Sequence, residues 1–192
     1  LSDEAFQAVE LEMEPKLAVH FDKITQNAPL FQKVKAVYDA RETLNLTPEQ
    51  KRLSWLYFNN FRRAGAMLDD ASKKKVGDIN ERLATLFTQF TQNVLAEEGD
   101  HTLFIDREAD LAGLPESVIA AAAAAAEEKG QKGKWAILNT RSSVEPFLTF
   151  SQKRELRKQV WTNFIMRGDN NDARDTKGLI TEIFKLRAER AK

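Results

Sequence analysis

The chain of 192 residues contains no cysteine. That excludes disulfides and thiolate catalysis, and it suits a reducing compartment. Histidine occurs only at His20 and His101, and there is no H-E-x-x-H run. The two-histidine helical motif of zinc hydrolases is therefore missing. Neither sign of charge is in surplus, with 29 lysines plus arginines against 29 aspartates plus glutamates. A neutral chain lacks the basic excess that phosphate binding needs, which argues against nucleic acid as the main partner. No apolar run approaches the ~18–20 residues of a membrane span, and no signal peptide opens the chain. No membrane partner is expected. Leu1 is not a start methionine, so the natural N-terminus and any targeting signal stay open. Cytoplasm is the expected compartment, with the periplasm as the alternative.

What is present suits a globular protein. The composition is 42% hydrophobic and 30% charged, with 12 Phe and 3 Trp to pack. The longest apolar stripe runs through Lys73–Glu98, at Val76, Ile79, Leu83, Leu86, Phe87, Phe90, Val94 and Leu95. Steps of three and four predict one long helix with these residues on a single face, roughly 37 Å long at ~1.5 Å per residue. Before it, Phe6, Val9, Met13, Leu17, Phe21 and Ile24 predict a helix over Ser2–Ile24 that Pro15 should bend or interrupt. Asn27-Ala28-Pro29 breaks it, and Leu30, Val34, Val37, Tyr38 and Leu44 mark the next. Thr47-Pro48-Glu49-Gln50 combines a capping threonine, proline at the first helical position and a glutamine that can reach back. The helix it opens should turn Leu53, Leu56, Tyr57, Phe61, Ala64 and Leu68 inward.

After Gly99 the period changes. Thr102–Asp106 and Trp135–Asn139 read as two short strands, paired antiparallel and enclosing a helix over Pro115–Lys129. Seven alanines, Ala120 to Ala126, leave that helix room for a close neighbour. Gln152–Arg167 predicts another helix, stopped by Gly168. Leu179, Ile180, Ile183, Phe184 and Leu186 begin a last one. It reaches Lys192 without a glycine or proline stop, so a cut chain is expected, with an apolar face left to self-associate or fray. The expected fold is mainly α: an antiparallel helical array over residues 1–98, then short strands plus helices over 99–192, as one region.

Candidate chemistry is thin. His101 adjoins Glu97, Glu98 and Asp100, which reads as a solvated helix end and turn rather than a cation site. Asp169-Asn170-Asn171-Asp172 starts like a calcium loop but has Ala173 and Arg174 where a ligand and glycine are required. Gly130-Gln131-Lys132-Gly133-Lys134 precedes a strand, so it is a turn and not a phosphate loop. Lys73–Lys75 and the cluster Lys153, Arg154, Arg157, Lys158 read as solvated helix faces. No residue is assigned a catalytic, cofactor-binding or metal-binding role.

A set of short runs, in order, resembles the thimet oligopeptidase, neurolysin and peptidyl-dipeptidase family of zinc oligopeptidases, most of all its bacterial peptidyl-dipeptidases. They include Glu14-Pro15-Lys16-Leu17-Ala18, Asn27-Ala28-Pro29-Leu30-Phe31, Phe61-Arg62-Arg63-Ala64-Gly65-Ala66 and Gln89-Phe90 through Glu97. Leu111-Ala112-Gly113-Leu114-Pro115, Gly133-Lys134-Trp135, Arg154-Glu155-Leu156-Arg157 and Leu186-Arg187-Ala188-Glu189-Arg190-Ala191 continue it. The resemblance implies the N-terminal part of a neurolysin-like fold, in which helices wall a channel for oligopeptide substrates. It implies zinc in a parent protein, bound in a catalytic lobe beyond this segment, and no cofactor in the segment itself. A free-standing helical module binding a peptide or partner helix is the alternative.

Overall fold

Helix starts and stops fall where local chemistry puts them. The computed structural model describes residues 3–192. Asp3 opens α1 (Glu4–Thr25) by accepting the Phe6 N–H at 2.8 Å, and Asn27 does the same for α2 (Ala28–Asp39) at Leu30. Thr47 opens α3 (Pro48–Arg63) with the full capping box: its hydroxyl accepts from Gln50 N–H, and Gln50 accepts from Thr47 N–H. α4 (Asp70–Asp100) is the longest helix, at 31 residues. Then come β1 (Leu103–Ile105), α5 (Glu116–Glu128), β2 (Trp135–Ile137), α6 (Arg141–Phe150), α7 (Arg154–Ile165) and α8 (Lys177–Arg190). The two strands pair antiparallel, Leu103 opposite Ile137 and Ile105 opposite Trp135. The fold is mainly α with one two-stranded sheet, as expected.

The chain divides into two compact units. The first runs up to Gln89 and takes in Thr181–Lys192. The second is Phe90–Ile180.

In the first unit Phe31, Phe61 and Ala66 form a small aromatic core with Val34 and Phe58 against it. Tyr38 stacks on Phe58 at 4.1 Å between ring centres, and the Arg41 guanidinium covers the other ring face at 4.1 Å. α4 buries Ile79, Leu83 and Leu86 here. Polar bonds fix α8 to it: Arg82 donates to both oxygens of Glu182, at 2.7 and 2.9 Å, and Arg190 donates to Asn80 at 2.8 Å. Asn80 also donates to Asp22 of α1, at 3.0 Å to each carboxyl oxygen.

The second unit has the larger core: Leu103, Ile105, Leu111, Leu114, Ala122, Ile137, Val144, Phe147 and Val160. α5 packs on β2 through Ala122, Ala126 and Ala136, all buried. Small side chains permit this close approach, as the alanine run predicts. Gly113, at φ +90°, brings its backbone so near α6 that a Cβ there would stand 2.3 Å from the Phe150 carbonyl oxygen. Gln152 N–H closes the contact on the Ala112 carbonyl at 2.8 Å.

Several expectations are corrected. α1 runs through Pro15 without a break. Leu44 lies beyond α2, in a turn. α3 turns Phe58, Phe61 and Asn59 inward and leaves Leu53, Leu56 and Tyr57 exposed, and Leu68, also exposed, lies beyond its end. On α4, Phe87 and Leu95 are also exposed, because eight apolar residues over so long a helix span a wider arc than one neighbour covers. The sequence reading assigns no helix to 141–150. α6 forms there with Pro146 inside it, held by Val144 and Phe147 in the core, where tertiary packing outweighs the proline penalty.

Candidate functional site

The two histidines fall in different units. His20 is exposed on α1, its ring edge-on to Phe21 at 5.9 Å. His101 follows α4, half-buried, its N–H bonded to the Glu97 carbonyl. Among the described residues, no group of three or more His, Cys, Asp or Glu is placed to hold a metal ion. The donor set does not fit a catalytic zinc, which needs about three protein ligands and an open position.

The acidic end of α4 differs from its sequence reading. Glu97 is fully buried instead of solvated. Its carboxyl accepts the Gly168 N–H at 2.7 Å and the Asn170 side-chain amide at 3.1 and 3.0 Å. Gly168 turns at φ +73°, a conformation glycine adopts without penalty, and Thr176 donates its hydroxyl back to the Gly168 carbonyl at 3.0 Å. Around this buried group Glu98 pairs with Arg167, Asp100 with Arg174, and Lys177 with Asp169 and Asp175. The Lys177 ammonium beside Asp175 holds that carboxyl below its usual range. The DNND stretch thus supplies the Asn170 amide that, with the Gly168 N–H before it, satisfies Glu97, and its chemistry is structural.

Several concave surfaces are present among the described residues, three of them with a chemistry to weigh. A cleft of about 620 Å³ in the first unit is lined by Arg63, Arg187, Arg190, Asn80, Leu68 and Val76. An apolar groove of about 340 Å³ lies between α2 and α3, beside Val34, Val37, Leu46, Leu53 and Tyr57. In the second unit Arg154, Arg157 and Lys158 surround exposed Trp161 and Leu148. Arg157 there is committed to the Ser151 carbonyl, and neighbouring Lys153 to Asp110 at 3.4 Å. Lys74 and Lys75 of the lysine run likewise pair with Asp78 and Glu189. These surfaces can bind, and none presents a nucleophile with a base. The sequence does not reveal the arginine cleft, since Arg63 and Arg187 come from helices far apart in the chain.

No family model matches the chain. It is 35% identical to Dipeptidyl carboxypeptidase of Escherichia coli (strain K12) over 190 residues, which covers 99% of this chain and 28% of that protein. Dipeptidyl carboxypeptidase of Salmonella typhimurium is 33% identical, over 99% of this chain and 27% of its own length. Oligopeptidase A of Haemophilus influenzae is 31% identical over 182 residues, 93% of this chain and 27% of the relative. The chain therefore spans little more than a quarter of the length of these relatives.

Proposed function

Because the chain is homologous over nearly its whole length to the N-terminal part of the dipeptidyl carboxypeptidases and oligopeptidases A, we propose that it is the N-terminal part of a zinc peptidase removing dipeptides from the C-termini of oligopeptides. One observation carries the reading: a match over 190 residues, 99% of the chain, at 35% identity. Dipeptide release is preferred over internal cleavage because identity is higher to the dipeptidyl carboxypeptidases, at 35% and 33%, than to the oligopeptidase A at 31%. In the parent, zinc ligands and general base come from sequence outside this chain. The metal supplies Lewis-acid polarisation of the scissile carbonyl and an activated water. This chain contributes helices to the wall of a channel that admits short peptides and excludes folded proteins. The absence of cysteine supports a cytoplasmic site of action.

The test starts with the encoding gene, read past Lys192. A long open frame should carry an H-E-x-x-H motif. The purified full-length product should hold stoichiometric zinc and release C-terminal dipeptides, and a chelator should stop it. The 192-residue chain alone should leave the same peptides uncut. A full-length product without chelator-sensitive release overturns the proposal. A frame that closes at Lys192 favours the second reading, a helical interaction module, whose support is the open apolar groove between α2 and α3.

A further inference from the structure

Helix α1 keeps its large apolar residues in water. Phe6, Val9, Met13, Leu17, Phe21 and Ile24 are 59%, 55%, 41%, 40%, 60% and 41% exposed, and none of the 22 residues of the helix is buried. Their spacing of three and four puts all six on one stripe. The face turned to the rest of its unit is mixed and small: Leu11, Pro15, Ala18, Val19 and Asp22 are half-buried. The pair of hydrogen bonds from Asn80 to Asp22 anchors it. A soluble helix ordinarily turns such a stripe inward. With roughly 100 Å² left open on each large side chain, the stripe presents on the order of 600 Å², near the ~800 Å² per side of a specific interface.

We propose that this stripe seats an apolar helical layer contributed by the remaining polypeptide of the parent peptidase. The inference rests on the reading of the chain as part of such a parent. Two observations choose this occupant over a second copy of the chain. The relatives are more than three times as long as the segment matched, at 28% and 27% coverage. The same unit also leaves Leu30 and Val37 of α2 and Leu53 and Tyr57 of α3 open. A two-fold pairing of α1 stripes covers one of these surfaces, whereas a large continuous partner has area for the rest as well.

The chain has no native cysteine, so single thiols report the face directly. Val9→Cys, Phe21→Cys and, as a control off the stripe, Glu12→Cys are introduced into the 192-residue chain and into the full-length parent. Maleimide labelling is read at the α1 peptide by mass spectrometry, with circular dichroism confirming the fold. Val9→Cys and Phe21→Cys should label at least about 100-fold more slowly in the full-length protein than in the chain alone, while Glu12→Cys labels equally fast in both. Equal rates at all three positions overturn the inference. Protection already present in the 192-residue chain, rising with concentration as sedimentation shows a dimer, overturns it in favour of a second copy. A full-length protein with no chelator-sensitive dipeptide release fails the peptidase reading itself. An active peptidase with freely labelled Phe21→Cys fails only the docking inference.

Discussion

The two units spend their apolar residues differently. In Phe90–Ile180 the large side chains close on one another, and Phe147 and Val144 are 0% and 1% exposed at the centre. Only Leu95, Phe150, Trp161, Ile165 and Ile180 stand open among its described large apolar residues. The unit built from α1, α2, α3 and the first part of α4 has the small Phe31–Phe61–Ala66 core and stripes of Phe, Leu, Val and Met facing water. The second is finished by its own sequence. The first leaves apolar faces open to water.

The comparison breaks most readily at Phe147. Phe147→Ala empties the closed core and should cost about 3–5 kcal/mol in urea unfolding of the 192-residue chain. A loss near that of a surface substitution would mean the core is not closed. Next is Glu97→Ala, which strips the Gly168 N–H and the Asn170 amide of their buried acceptor. A loss of about 1–3 kcal/mol is expected, together with faster amide exchange at Gly168. Unchanged exchange there would show that the loop stands without Glu97.

The smallest effects belong to the open unit. Phe21→Ser in the isolated chain should change stability by no more than about 0.5 kcal/mol, because the ring contacts little that unfolding would lose. A cost as large as that at Phe147 would erase the distinction between the units. Asp22 gives a signature of sign. Desolvation raises its carboxyl above 3.8 in the fold, against the lowering by the Asn80 hydrogen bond and the Arg190 charge. A raised carboxyl is favoured protonated, so its contribution is present below 3.8 and is lost as pH rises through the folded value. Asp175 in the other unit is lowered by Lys177, so its contribution appears above 3.8 and is lost as pH falls. Subtracting the pH–stability curve of Asp22→Asn from that of the wild type should leave a downward slope with rising pH just above 3.8. A flat or upward difference refutes the assignment.

Much of this was legible in the residues. The Thr47 capping box, the alanine helix, the two strands and the glycine stop at Gly168 each follow from chemistry within about four positions, and each forms. The order of the short runs likewise resembles that of the oligopeptidases. Where the reading erred, the deciding partner lay far along the chain. Glu97 looks like one more solvated acid until Gly168 and Asn170 close over it. Residues 141–150 carry no helix in the sequence reading, and α6 forms there with Val144 and Phe147 in the core.

The sequence by itself determined most of the segments that are helix or strand, α6 excepted, where most of them begin and end, and which family they resemble, because capping, periodicity and turn chemistry act over neighbouring residues. The count alone, two histidines and no cysteine, also rules out the two-histidine H-E-x-x-H motif within these residues. Only the tertiary structure decided which apolar stripes are used. Periodicity marks Phe21 and Leu86 alike as core-facing, but burial depends on whether another element stands opposite: Leu86 is fully buried and Phe21 is 60% exposed.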